Sequence, residues 1–180
     1  MTAFDGSVLG IGSRMLHRLR VVLQRDFGEQ AGPALQEAGY AAGDELYEAW
    51  SGWLAERTGV MDPGELDARH LATMLNDFFV SLGWGHVAVQ RLGATLAVDS
   101  TDWAEADATA GAVAPSCHVT AGLLAGFLGR LADHHVAVIE IECRSRNDAH
   151  CRFLAGSPDT LQAVYDGVTA GRDYRDVLTA

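Results

Sequence analysis

Two short stretches in which the hydrophobic period is two constrain this chain most. Val87, Val89 and Arg91 alternate with His86, Ala88 and Gln90, and Leu92-Gly93-Ala94 turns the chain into a partner strand at Thr95–Val98. Val136, Val138, Glu140 and Glu142 alternate with Ala137, Ile139, Ile141 and Cys143. A polar turn with Asn147-Asp148 then leads into a return strand bearing Cys151, Phe153 and Ala155. Connections this short allow only antiparallel pairing, because a parallel crossover needs a dozen or more residues.

Everything around these hairpins has helical spacing. Ile11, Met15, Leu19, Val22 and Leu23 recur on one side of a first helix, opposite Arg14, Arg18 and Arg25, and Gly28 stops it. A second helix is predicted from Pro33 to about Arg57, with Gly39 and Gly43 interrupting its stripe. Each glycine costs about 1 kcal/mol in a helix interior, so a neighbouring backbone is expected close to them. A third helix starts near Asp62-Pro63, and a fourth follows Ser116, which is a good N-cap. A last one runs from Ser157-Pro158 to about Val168. Residues 99–115, acidic and rich in small residues, read as a loop over the surface in which Trp103 needs somewhere to dock. The fold class is α+β: a mostly antiparallel sheet packed by helices. Residues 1–10 read as a loose lead-in and 11–180 as one domain.

Charge narrows the chemistry. Thirteen basic residues against 24 acidic ones give −11, which disfavours nucleic acid and anionic membrane as partners. Every basic residue is Arg, so Schiff-base lysine and P-loop chemistry are excluded. No apolar run reaches the ~18 residues of a membrane span, and no signal-peptide pattern opens the chain. These features predict a soluble cytoplasmic protein. In that reducing setting the three cysteines are free thiols or ligands.

Cys143 and Cys151 flank the second hairpin turn, and Cys117 starts the helix that leads into it. With Glu140 they form C-x22-E-x2-C-x7-C. Three thiolates and a carboxylate can close a tetrahedral structural Zn2+ shell, since soft sulfur favours Zn2+ over Mg2+ or Ca2+. Three separate buried thiols fit the same spacing. His118, His150 and Glu142 compete for the fourth position. On an ideal strand Glu140 and Glu142 share a face while Cys143 points away, so either glutamate needs a local irregularity to meet Cys143.

Residues 76–170 resemble the 4-vinyl reductase (4VR) domain family, which is related to subunits of the TRAPP trafficking complex and to the sensor domains of phenol-responsive regulators. The resemblance rests on L-G-W-G at 82–85, C-H-V-T-A-G-L-L-A-G at 117–126 and V-I-E-I-E-C-R-S-R-N-D-A-H-C-R-F at 138–153. The segment A-G-Y-A-A-G at 38–43 is similar to the family's glycine-bearing helix. It implies a 4VR/TRAPP-like plait, often dimeric, and a Zn2+ held by Cys117, Glu140, Cys143 and Cys151, with Glu140 preferred over Glu142. The family's turn between the last two cysteines usually contains a glycine. Here residues 144–150 contain none, so a different turn is expected.

The resemblance also implies an apolar pocket for a small hydrophobic or aromatic ligand. Trp84 and Trp103 are pocket candidates, and Phe78, Phe79 and Phe127 lie on helix stripes where they either line such a pocket or fill the core. His70 and His86 are read as surface or satisfied histidines. No nucleophile-elbow or dinucleotide motif is present, so a non-catalytic ligand-sensing or ligand-carrying module, as a homodimer, is the leading reading. A tetrapyrrole 4-vinyl reductase or pigment-carrier role is the first alternative, and a dimeric assembly scaffold is the second.

Overall fold

In the computed structural model, residues 11–179 are described; the lead-in at 1–10 lies outside them. Among the described residues, seven α-helices and four strands follow in the order α1 (Ser13–Phe27), α2 (Ala31–Ala41), α3 (Gly43–Thr58), α4 (Ala68–Ser81), β1 (Ala88–Leu92), β2 (Thr95–Ser100), α5 (His118–Ala132), β3 (Ala137–Glu142), β4 (Cys151–Gly156), α6 (Pro158–Thr169) and α7 (Tyr174–Thr179). The sheet order is β1-β2-β4-β3 and every pairing is antiparallel. The predicted α+β architecture is therefore the observed one. Among the described residues no helix is long and apolar enough to cross a membrane.

The long second helix is instead two helices, α2 and α3, meeting at Ala42. The cause is the glycine spacing. Both helices press against α5: a Cβ on Gly43 would lie 2.6 Å from the Gly126 Cα, and one on Gly39 would collide with the Val119 carbonyl. Backbones that close leave no room for side chains, which is why the segment tolerates the helix-weakening residues.

Two apolar layers flank the sheet. The larger joins α3, α4 and α5 to Val138, Cys143, Cys151, Phe153 and Ala155. The smaller joins Ala97 and Leu154 to Leu161 and Val164 of α6 and Tyr174 of α7. The short α7, absent from the sequence reading, closes this second layer; six residues are too few for a periodic signal. Residues 99–115 are not wholly a surface loop, because Trp103, Glu105 and Ala106 are buried.

Candidate metal centre and its surroundings

One irregularity in β3 builds the site. Glu140 pairs with Phe153 and Glu142 with Arg152, so one extra residue enters β3 between them. A one-residue insertion flips the alternation of all that follows. Cys143 thereby returns to the face that Glu140 occupies, and Glu142 is sent to the opposite one. On β4, Cys151 shares the face of Phe153.

The hairpin turn completes the approach. Arg144–Arg146 form a 3-10 turn, and Asn147 takes the left-handed conformation at φ 69°. Asparagine thus fills the role a glycine would fill, since it tolerates this region better than most side chains. Asp148 accepts from the Cys143 N–H at 2.7 Å and holds the turn shut.

The third contributor is the start of α5. Ser116, expected as its cap, is not one. Cys117 occupies the cap position with no side-chain cap bond, and Ser116 instead accepts from Arg20 of α1 at 2.8 Å. Two carboxylates from elsewhere do the capping. Glu140 Oε2 accepts from the Cys117 N–H at 2.8 Å. Glu105 accepts from the Val119 and Thr120 N–H groups at 3.0 and 2.7 Å. Anionic oxygens suit the positive end of the helix dipole and satisfy its orphan donors. Nothing in the local sequence separates Glu105 from the other acids of its loop, and Arg20 carries no motif either.

The result is a compact donor set. One ligand atom each from Cys117, Glu140, Cys143 and Cys151 all lie within 4.8 Å of one another. The Cys117 and Cys143 sulfurs are 3.8 Å apart, far beyond a disulfide bond. Tetrahedral bonds of about 2.3 Å to one cation would place two sulfurs roughly 3.8 Å apart. Glu140 Oε1 is buried and has no hydrogen-bond partner among the described residues. The donors therefore fit a divalent metal of zinc-like preference.

Electrostatics agree. The Cys143 thiol is held far below its ordinary range by hydrogen bonds from Cys117 and then Cys151. The Cys117 thiol is pushed far up by its bond to Cys143, its bond to Cys151 and burial. For Cys151 the bond from Cys117 pulls down, but the bond to Cys143 and burial carry it upward. Burial and the neighbouring Cys143 push Glu140 up to about 8. Crowded acids of this kind compete for ionisation, and a bound cation lets all of them ionise.

The three rival ligands lie elsewhere. His150 Nε2 sits 2.9 Å from Glu142 Oε2, at ion-pair distance though off the line of a hydrogen bond. Glu142 also accepts from Tyr174 Oη and Arg175, on the far side of the sheet. His118 packs its ring over Gly32.

Beside the cluster the five aromatic residues singled out in the sequence form one contiguous group. Phe79 meets Trp103, Phe127 and Phe78 at centroid distances of 5.4, 6.1 and 5.8 Å. Trp84, half-buried, lies 5.3 Å from Trp103. Phe78, Phe79, Trp103 and Phe127 are fully buried. Trp103 Nε1 donates to Thr120 Oγ1 at 2.7 Å, and that hydroxyl donates to Glu105, so the loop tryptophan docks on α5. Trp50 and Phe153 join the group without having been singled out. His70 and His86 are exposed and pair with Asp67 and Asp102.

The motifs around these four ligands decide the family comparison. Residues 99–157 match the vinyl-4-reductase (4VR) domain. The matched segment runs from the end of β2 to just past β4 and contains all four candidate ligands. The resemblance read from the motifs therefore holds. No curated protein sequence matches the chain. Three solved structures share the fold. The phenol-responsive sensory domain of the transcription activator PoxR, in a crystal structure with phenol, is 19% identical with a TM-score of 0.60, covering 82% of this chain and 75% of its own. A vinyl-4-reductase family protein from Methanocaldococcus jannaschii is 16% identical with a TM-score of 0.53, covering 82% of both chains. A trafficking protein particle complex subunit 3 from Naegleria fowleri, covalently bound to palmitic acid, is 12% identical with a TM-score of 0.60, covering 80% of this chain and 91% of its own.

Proposed function

We propose that this chain is a ligand-binding module. It would hold a small hydrophobic or aromatic molecule among Phe78, Phe79, Trp84, Trp103 and Phe127, braced by a structural Zn2+ on Cys117, Glu140, Cys143 and Cys151. The observation that carries the reading is the closed set of four donors, which ties the start of α5 to both strands of the β3–β4 hairpin. A shell with four protein ligands leaves no position for water, so the metal's contribution is structural. Trp103, bonded to α5 three residues beyond Cys117, links the brace to the aromatic interior. The fold shared with a phenol-responsive sensory domain supports the ligand class. The reading assigns no catalytic residue. It includes a homodimer, for which exposed Met15 and Leu19 of α1 offer surface, and a reducing, cytoplasmic setting that keeps the thiols available.

Metal analysis and native mass spectrometry of the purified protein test it together. One zinc per chain and a co-purifying or added phenol in stoichiometric complex are expected. A folded protein that takes up no zinc refutes the brace, and one that binds neither phenol nor any other small apolar molecule refutes the pocket.

A further inference from the structure

Helix α1 is seated the wrong way round for an ordinary amphipathic helix. It buries Arg20, which is 4% exposed, while Met15 and Leu19 are 57% and 38% exposed. Burying a guanidinium and leaving leucine in water costs free energy unless the charge meets a strong complement. That complement lies in the metal centre. Arg20 Nη1 donates to Ser116 Oγ at 2.8 Å and approaches the Ser116 carbonyl at 3.5 Å. Ser116 Oγ in turn lies 3.9 Å from Cys143 Sγ. Since the guanidinium only donates, the serine oxygen accepts from it and its proton is free to point at the Cys143 sulfur.

The charges around this relay are lopsided. Three thiolates and a carboxylate around a divalent cation leave two formal negative charges. Glu105, 3% exposed, adds a carboxyl nearby. Arg20 and Glu105 are the two charged side chains that are fully buried among the described residues. The other groups that feel Arg20 are His118, held below its ordinary range first by burial and then by Arg20 itself, and the outlying Asp107.

We propose that Arg20 is a positioning residue of the metal centre. It balances the anionic shell through Ser116, and the loaded shell holds α1 in this orientation. The proposal rests on the metal reading above. Metal occupancy and α1 docking are then linked: loading the site tightens α1, and undocking α1 weakens the site, by the same factor.

Competition between the protein and a chromogenic chelator for Zn2+ tests this, with amide hydrogen exchange of α1 as the second readout. Arg20→Met, which keeps the length and removes the charge, is expected to weaken Zn2+ binding about tenfold or more, as for other residues behind metal ligands. Arg20→Lys is expected to recover most of that loss, and Arg18→Met, on the exposed side of α1, to change nothing. Ser116→Ala, which barely alters packing, is expected to weaken binding in the same direction and to speed α1 exchange. Removing Zn2+ from the wild type should speed α1 exchange too. Equal affinities for Arg20→Met and Arg20→Lys, or an unchanged affinity in Ser116→Ala, overturn the proposal. A wild-type protein that takes up no Zn2+ refutes the metal reading itself.

Discussion

The extra residue in β3 assigns Glu140 and Glu142, two positions apart, to opposite faces, and neutralising each in turn should give opposite signatures. In Glu142→Gln the lost charge faces Tyr174 Oη, the Arg175 guanidinium at 2.8 Å and Arg152 at 3.8 Å. Arg175 is half exposed, so its pair contributes little. The glutamine oxygen still accepts from the tyrosine, which leaves the charged part of one or two bonds, about 1–2 kcal/mol. In a domain of this size that lowers Tm by roughly 2–8 °C. The loss should be the same with and without a chelator, and the protein should still bind one Zn2+ per chain. In Glu140→Gln an anionic ligand is lost, and Zn2+ affinity should fall by more than about 100-fold, exceeding the effect of residues behind the ligands. With Zn2+ saturating the wild type, that factor removes about 2.7 kcal/mol of linked stability. This loss should disappear when a chelator is present. Thermal denaturation of both variants with and without chelator, together with metal titration, reads all four conditions. If Glu142→Gln loses the metal, or Glu140→Gln binds it as tightly as the wild type, the two faces are wrongly assigned.

Two further outcomes rest on single contacts. Burial pushes the Asp99 carboxyl up, and the paired Arg152 outweighs it, leaving Asp99 below the usual carboxylate range. A depressed folded-state pKa contributes stability that is complete above the unfolded value near 4 and is lost as pH falls through the folded value. Asp99→Asn should therefore be less stable than the wild type at neutral pH and show a shallower loss below about pH 4, read by thermal denaturation across that range. At Asn147, with φ 69°, Asn147→Ala should cost about 1 kcal/mol or somewhat more in urea denaturation, and Asn147→Gly should be close to neutral. An alanine variant as stable as the wild type would show that the turn relaxes.

Much of the architecture is legible in local pattern. Period-two alternation and short turns foretell both hairpins, and helical spacing foretells α1, α4, α5 and α6, because one-sided burial imposes its period on the sequence. Gly39 and Gly43 foretell a close neighbour, although not that the neighbour is α5 or that the helix breaks at Ala42. The caps of α5 were illegible. A serine in the right place suggests a local cap, but Arg20, 96 residues away, engages that serine instead. The cap is then supplied by Glu105 and Glu140, whose positions in the sequence hold no trace of the helix they serve.

The sequence by itself determined an antiparallel α+β chain with three thiols and a carboxylate spaced so that they can meet. That information is local, since it resides in periods, turns and the chemistry of each side chain. Only the tertiary structure decided which glutamate faces the thiols, that Trp103 docks beneath the loop, and that Arg20 rather than the leucines of α1 is buried. A single inserted residue in β3 inverts the strand's alternation, and nothing in the composition of Glu140-Ile141-Glu142 announces it. Burial of a charge, likewise, depends on the field of groups brought together from distant parts of the chain.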